Sequence, residues 1–243
     1  MQNINPTSIQ NRRTLYYRWV YGAPVIAISL LGLAMAALTS QLPLFGGINT
    51  IMMIGLIFFS VIAFILGVGF FYRSFTLTHD NEIAYTVGEI LRQSIGADPR
   101  YSYIRSISRR NLGYVDAVLV GPPGALVFRV VDATGTWRNE RADWKIINPR
   151  NGKFQSAPYN PSKECARDVY ALRKFLSKRR LDKVPVYGVV VFTNPEAVLQ
   201  AQGPVVPVTK TNRLYEIISR DYLKEERINI SQIEATVDNL IEG

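Results

Sequence analysis

The hydrophobic positions of this chain follow two different patterns. Between Arg18 and Arg73 no residue is charged, and two apolar segments fill that interval, at about residues 22–41 and 49–72. Each segment is close to the ~20 residues that a helix needs to cross about 30 Å of hydrocarbon. A helix that is apolar on every face over such a length is typical of a membrane span. The pattern therefore predicts two transmembrane helices.

The residues between the two apolar segments are too few to form a domain. They contain Pro43 and the pair Gly46-Gly47, which are typical of a tight turn. We therefore predict that residues 1–73 form a transmembrane hairpin. Because the spans contain no acid, base or histidine, the hairpin is interpreted as an anchor rather than as a transport path.

The charges that flank the two spans predict how the hairpin is oriented. Arg12, Arg13 and Arg18 precede the first span and Arg73 follows the second, whereas the turn carries no charge. Since positive residues are retained on the cytoplasmic side, both termini are expected in the cytoplasm. The alternative is a cleaved signal peptide, with an apolar run from residue 25 and a small-residue cleavage site at residues 34–36.

Beyond the hairpin, residues 74–243 show the patterns of one mixed α/β domain, large enough for its own core. The residues at 79–82 are typical of a helix cap. The turn at residues 121–124 predicts a central β-hairpin, and the one at 149–152 predicts a second, smaller one. Helices are predicted at residues 83–96, from Pro161, at 213–220 and from Ser231; strands are predicted at 101–108, 115–120, 125–131, 144–147, 153–155, 184–192 and 205–208.

Charge and composition narrow the function of this domain. Of the 28 lysines and arginines only Arg12, Arg13 and Arg18 precede Arg73, while all 19 acidic residues follow it, so the chain from Arg73 onward carries +6. Such a surface attracts either nucleic acid or anionic lipid. The single cysteine, Cys165, excludes an internal disulfide. The single histidine, His79, argues against histidine metal sites and Ser-His-Asp triads.

Several short motifs occur in an order that resembles a known family. Gly88-Glu89 lies on the first predicted helix, and the run at residues 115–128 is followed by Gly135. Asn160-Pro161 then precedes a helix, and the apolar run at residues 186–192 completes the series. Together these motifs resemble the nuclease-related domain, NERD, over about residues 82–221.

The resemblance implies a restriction-endonuclease-like core, with a mixed central sheet flanked by helices. In that fold a helix glutamate, an aspartate and an E-x-K motif on the next strand gather around a magnesium ion. Carboxylate oxygens are the ligands that this hard cation prefers. The lysine helps to activate the attacking water and offsets the charge that develops on the phosphate.

This chain matches the family pattern only in part. It has Glu89 and Asp116, but Arg129 and Val131 stand at the two functional positions of E-x-K, and Glu164 replaces the usual glutamine. An arginine places positive charge where the metal would bind, and a valine cannot stabilise phosphate. We therefore expect no bound metal or cofactor, and we assign no residue as catalytic. We interpret these five positions as the remnant of a catalytic site whose charged members form an ion-pair cluster.

Three functions remain open at this point. The first is a catalytically inactive, membrane-anchored NERD domain that binds DNA or RNA or acts as an interaction module. The second is an active Mg²⁺-dependent nuclease with a rearranged site, in which Glu89, Asp116, Asp132 or Glu164 would supply the metal ligands; Asp132, however, is expected to face away. The third is a structural subunit that docks onto a membrane protein through its hairpin. The candidate nucleic-acid-binding residues are Arg105, Arg109, Arg110, Arg138, Arg141, Lys178, Arg179 and Arg180.

Overall fold

The computed structural model describes residues 1–6, 16–41, 47–109 and 111–242. The chain forms two compact units. One contains Met1–Pro6 together with Asp80–Gly243, and the other contains Thr7–His79. The predictions that concern Arg12, Arg13, Arg110 and the hairpin turn at residues 42–46 lie outside the described residues.

The smaller unit contains two long apolar helices. A π-helical turn, Tyr16–Gly22, leads into α1, Ala23–Gln41, and α2 begins at Gly47 and extends to Ile95. Two stretches of 24 residues, Tyr16–Thr39 and Thr50–Arg73, are long and apolar enough to cross a membrane. Only 17% and 11% of their most apolar windows are buried within the structure, unlike the core helix of a soluble protein.

Small side chains allow α1 and α2 to approach closely. Ser29 Oγ donates to the carbonyl of Ser60 at 2.8 Å, and both serines are buried. A Cβ atom on Gly32 would lie 2.2 Å from Ser60 Oγ, and one on Gly67 would lie 2.5 Å from Ile26 Cγ1. The two helices therefore pack through glycine and serine positions, as helices in lipid commonly do.

The second apolar helix continues further than the sequence predicted. We expected it to end near residue 72 and a new helix to begin after a cap at residues 79–82, but α2 runs without interruption from Gly47 to Ile95. No proline or glycine occurs between residues 70 and 87. Cap-forming side chains only favour a helix start and do not end a helix that is already formed, so nothing in this segment interrupts the helix.

A six-stranded mixed sheet forms the centre of the larger unit. Its order is β1-β2-β3-β4-β8-β10, in which β2, β3 and β4 are antiparallel and the other pairs are parallel. The predicted central hairpin is confirmed, since Gly121 pairs with Gly124 at its turn. The strands are β1 (Gln2–Ile4), β2 (Ser102–Arg109), β3 (Gly113–Gly121), β4 (Gly124–Val131), β8 (Val186–Phe192) and β10 (Val208–Lys210).

The first strand was not predicted. Residues 1–6 were assigned to the hairpin, but Gln2–Ile4 pairs in parallel with the start of β2. The amino group of Met1 also donates to the carbonyl of Gly96 at 2.9 Å. A three-residue strand gives no periodicity signal, and its partner lies about 100 residues further along the chain, so the sequence alone did not reveal the pairing.

A second sheet of four strands has the order β7-β6-β5-β9. The strands are β5 (Gly135–Glu140), β6 (Asp143–Ile147), β7 (Phe154–Ser156) and β9 (Ala197–Gln202). The smaller predicted hairpin is confirmed as β6 and β7, which are antiparallel. Strands β5 and β9 were missed because polar residues interrupt their apolar pattern.

Three further helices complete the larger unit: α3 (Pro161–Ser177), α4 (Leu214–Asp221) and α5 (Ile230–Glu242). Helices α3 and α5 pack on one face of the main sheet, whereas α4 and the end of α2 pack on the other. The last helix starts slightly earlier than predicted. Its reciprocal cap joins Asn229 and Gln232, whose side chains each accept a hydrogen bond from the other's backbone N–H, at 2.9 and 3.1 Å.

Candidate functional site

Asp116 and Arg129 lie side by side on the central hairpin. The register pairs Ala117 with Phe128, so the next residue on each strand, Asp116 and Arg129, projects from the opposite face, the one covered by α3. Asp116 is only 8% exposed, and its Oδ2 accepts a hydrogen bond from the N–H of Val130 at 2.8 Å. Arg129 Nη1 lies 3.5 Å from Asp116 Oδ1. The hairpin thus forms the first half of an ion-pair cluster.

Helix α3 supplies the other two members of the cluster. Asn160 caps its start by accepting from the N–H of Lys163, and Pro161 occupies the first turn. Glu164 and Asp168 are four residues apart and therefore lie on the same side of the helix. Glu164 forms an ion pair with Arg129 Nη2, and Asp168 Oδ2 lies 3.9 Å from Arg129 Nη1. The guanidinium is thus in contact with three carboxylates.

Burial and charge act in opposite directions within this cluster. Asp168 is 4% exposed, and burial raises its pKa even though Arg129 and Arg167 oppose the shift. Burial alone would lower the pKa of Arg129, but Asp116, Glu164 and Asp168 outweigh it and raise that pKa. Arg129 is therefore charged at every physiological pH, and burial disfavours the ionised form of Asp168.

Glu89 lies apart from this cluster. Its helix packs through Val87 and Leu91 on the face of the sheet opposite to α3. Its carboxylate accepts hydrogen bonds from Arg92, at 2.8 Å, and from Asn3 Nδ2, at 3.3 Å. We expected Glu89 to belong to the same cluster as Arg129. The structure pairs it instead with residues of its own helix and of the N-terminal strand.

Val131, which stands at the position expected for the lysine of E-x-K, is part of the hydrophobic core. Val131 is 2% exposed and lies in an apolar cluster that includes Trp137, Trp144 and Phe192. Asp132, the next residue, is exposed, and its Oδ1 accepts from Thr193 Oγ1 at 3.4 Å. No ion pair of the described residues joins Asp132 to the Arg129 cluster.

Residues 86–193 match the family model described as the nuclease-related domain, NERD. The chain contains a NERD domain. The match covers the end of α2 with Glu89, the central hairpin and all of α3, so the resemblance seen in the sequence is confirmed. No curated protein and no solved structure is similar enough to the chain to count as a match.

The described side chains around Arg129 disfavour a bound magnesium ion. Among the described residues, no group of three or more histidine, cysteine, aspartate or glutamate side chains is arranged to hold a metal. The three carboxylates converge on a cation that the chain itself supplies, since Arg129 lies between them. A divalent ion at this place would meet a guanidinium at contact distance, which electrostatic repulsion disfavours.

The predicted basic residues that the structure describes, all except Arg110, are spread over several parts of the larger unit. Arg105 lies on the α2 face, 4.8 Å above the ring of Tyr85, and Arg109 is buried and donates to the carbonyl of Leu240 at 2.9 Å. Arg138 covers the ring of Phe154 at 3.8 Å in the second sheet, and Arg141 lies in the β5–β6 turn. The last three candidates, Lys178, Arg179 and Arg180, lie at the end of α3.

Two features of α3 extend the prediction from the sequence: Asp168, and a row of exposed side chains that continues from the predicted residue Lys178. Asp168 was overlooked, although its spacing of four residues from Glu164 places both on one helix face. The second feature is a row of exposed side chains at helical spacing, which we call the α3 stripe: Lys163, Arg167, Tyr170, Lys174 and Lys178. The stripe contains no acidic residue and extends over about 22 Å. The helix thus carries the Arg129 cluster and a basic surface at once.

Proposed function

We propose that this protein is a membrane-anchored NERD domain that binds nucleic acid without cleaving it. The observation that supports this function best is the ion pairing of Arg129 with Asp116, Glu164 and Asp168. Phosphodiester cleavage by this kind of fold requires a cation that is free to polarise phosphate and activate water. A guanidinium held by three carboxylates supplies neither an open coordination position nor a metal-bound hydroxide.

The α3 stripe provides the surface for binding. Its four cations are exposed and follow one line along a helix that also borders the Arg129 cluster. Evenly spaced cations of this kind neutralise successive phosphates. Tyr170 is 67% exposed in the middle of the stripe. An exposed aromatic ring among cations favours a nucleic acid with accessible bases over a lipid surface, because bases stack on such rings.

The hairpin is proposed as the membrane anchor, with both termini on the cytoplasmic side. Residues 1–6 and the NERD domain belong to one compact unit, held together by pairing of β1 with β2. Both must then lie on the same side of a bilayer. The two apolar stretches between them return the chain to that side, which is the topology that Arg18 and Arg73 favour.

Nucleic-acid binding is tested with the full chain in nanodiscs of zwitterionic lipid, which leave the stripe uncovered. Fluorescence anisotropy with labelled single- and double-stranded DNA and RNA should show binding that weakens with salt and is equal in Mg²⁺ and in EDTA. The triple variant K163Q/K174Q/K178Q should weaken binding at least tenfold. It should also lower the slope of log Kobs against log salt concentration by about 2 to 3.

The matched control removes three exposed cations elsewhere, R150Q/K153Q/K224Q, which keeps the net charge equal to that of the stripe variant. It should lose much less affinity. Equal losses in both variants would mean that only net charge matters. No binding in zwitterionic discs would reject the nucleic-acid function and favour anionic lipid as the partner of the stripe. Strand cleavage in Mg²⁺ or Mn²⁺ that is abolished by Asp116→Ala would favour the active nuclease instead.

The topology has a separate test. Burial raises the pKa of Cys165 to about 12, and its thiol is fully buried, so the wild-type chain should not react with an impermeant maleimide. Single cysteines at the exposed positions Gln2 and Lys224 should both react in vesicles of one orientation and both be protected in the other. Reaction of the two from opposite sides would contradict the proposed hairpin.

A further inference from the structure

A cleft of about 350 Å³ lies between α3, α4 and strand β8 of the larger unit. Most of its lining is apolar, with Val169, Val189 and Ile218 among the side chains that form the walls. The volume lies at the lower end of the range found for small-molecule sites, which are mainly apolar with a few polar groups. It is separate from the Arg129 cluster, since Asp116, Arg129, Glu164 and Asp168 are not among its lining residues.

The cleft lies where β8 has an open edge. The backbone groups of odd-numbered residues in β8 form hydrogen bonds with β4. The bonds at its two ends show this: Ala125 N–H donates to Pro185 O at 2.9 Å, and Thr193 N–H donates to Val131 O at 3.0 Å. On the other side, Val190 N donates to Pro207 O at 2.9 Å. Pro207 has no N–H with which to continue that ladder towards Gly188. The backbone of Gly188 therefore points towards the cleft.

The open edge is too short to hold a peptide strand. It extends only from Val186 to Gly188, about 10 Å, before β10 begins. The carbonyl of Val186 also already accepts a hydrogen bond from Arg173 Nη2, at 3.2 Å. A small molecule that uses one or two backbone contacts suits this space better than an added strand.

The charged side chains that line the cleft favour a negatively charged ligand. Arg173 lines it, and among the described residues no carboxylate forms an ion pair with Arg173. The single carboxylate of the lining, Asp221, is bound by Arg220 through two contacts of 2.8 Å, which lower the pKa of Asp221. One cation without a counter-charge therefore remains beside an apolar cavity. This combination complements a ligand that has an apolar body and one negative charge.

We propose that this cleft binds a small apolar carboxylate, whose anionic group is held by Arg173 and whose body fills the space between α3 and α4. The proposal does not rest on nucleic-acid binding, although Tyr170 lines both this cleft and the α3 stripe. The probe is naphthalene-2-carboxylate, titrated by isothermal calorimetry into the full chain in nanodiscs, with empty nanodiscs as the blank. Two matched compounds of similar size, neutral 2-naphthol and cationic 2-naphthylmethylamine, separate the contribution of charge from that of shape.

The carboxylate should bind saturably and at least tenfold more tightly than either matched compound. Arg173→Gln should remove that preference, whereas Lys183→Gln, which removes an exposed charge outside the cleft, should preserve it. Ala166→Phe fills the cleft from α3 and should abolish binding of the carboxylate. Equal binding of the carboxylate and the amine, persistence of the preference in Arg173→Gln, or no saturable heat above the blank would each overturn the proposal.

Discussion

Arg129 Nη1 lies 3.5 Å from Asp116 Oδ1, and the two residues are neighbours on antiparallel strands. Arg129 is thus a cation of the chain itself placed beside a buried carboxylate. Glu164 and Asp168 approach the same guanidinium from α3. Three carboxylates thus share one cation that the chain itself supplies, with consequences for stability, for pH dependence and for metal binding.

Arg129→Gln should destabilise the domain because three partly buried carboxylates lose their shared cation. Breaking a buried ion pair costs about 3–5 kcal/mol, and Arg129 retains 23% exposure, so we expect a loss of about 2–4 kcal/mol. Chemical denaturation at neutral pH measures it. Arg138→Gln, which breaks a more exposed pair with Glu140, is the control and should cost about 1 kcal/mol or less. Similar losses in both variants would contradict a central role for Arg129.

Asp168 should make the domain less stable as pH rises. Burial raises its folded-state pKa above the unfolded value of about 3.9. At pH values between these two pKa values, the folded state therefore binds more protons than the unfolded state. The stabilisation is fully present below the unfolded pKa and is lost as pH rises through the folded pKa. Asp168→Asn should remove this decline. The free energy of unfolding of the variant, relative to that of wild type, should therefore increase as pH rises from about 4.

Denaturation curves between pH 4 and pH 8 measure the difference. Asp182→Asn is the control, since Asp182 is exposed in the loop after α3 and its variant should parallel wild type. A gap between wild type and Asp168→Asn that stays constant with pH would show that the Asp168 carboxylate is not penalised by burial.

Arg129→Glu should create a metal site. The variant would place a fourth carboxylate beside Asp116, Glu164 and Asp168, an oxygen-rich group that favours a hard divalent cation. Mn²⁺ should then raise the melting temperature of the variant, since a ligand that binds only the folded state stabilises it. Arg129→Gln, which lacks the added carboxylate, should gain much less. Absence of a Mn²⁺-dependent shift in Arg129→Glu would mean that the cluster cannot be converted into a metal site by this change.

A lysine at position 131 should destabilise the domain even when position 129 carries a carboxylate. Position 131 packs among Trp137, Trp144 and Phe192, and a lysine there would have to bury its charge in an apolar cluster. The double variant R129E/V131K should therefore be less stable than Arg129→Glu, which thermal denaturation in Mn²⁺ would detect. Equal melting temperatures would mean that the pocket around residue 131 admits a lysine.

How much the sequence revealed depended on the distance along the chain between interacting residues. The pairing of Asp116 with Arg129 was predictable, because a four-residue turn fixes the register of the two strands that carry them. The addition of Gln2–Ile4 to β2 was not, because no local pattern links it to a partner so far along the chain. Glu89 was misplaced for a related reason: its helix packs on the face of the sheet opposite to α3, a choice made by tertiary packing.

Gly67→Leu should disrupt the hairpin, whereas Gly69→Leu should be tolerated. A Cβ atom on Gly67 would lie 2.5 Å from Ile26 Cγ1, so a larger side chain must push α1 and α2 apart or displace Ile26. A Cβ atom on Gly69 meets nothing within 4 Å. The two variants have the same change in hydrophobicity and in helix propensity, and they differ only in the face of the helix that they alter.

We expect overpacking at Gly67 to destabilise the hairpin by about 1–3 kcal/mol. Thermal denaturation in nanodiscs measures it. A disulfide formed between cysteines introduced at Ser29 and Ser60, where the Ser29 hydroxyl donates to the Ser60 carbonyl across the interface, reports helix separation. The disulfide should form readily in wild type and in Gly69→Leu and much more slowly in Gly67→Leu. Equal rates in all three would mean that the two helices do not pack through the Gly67 face, and the hairpin would then require another interface.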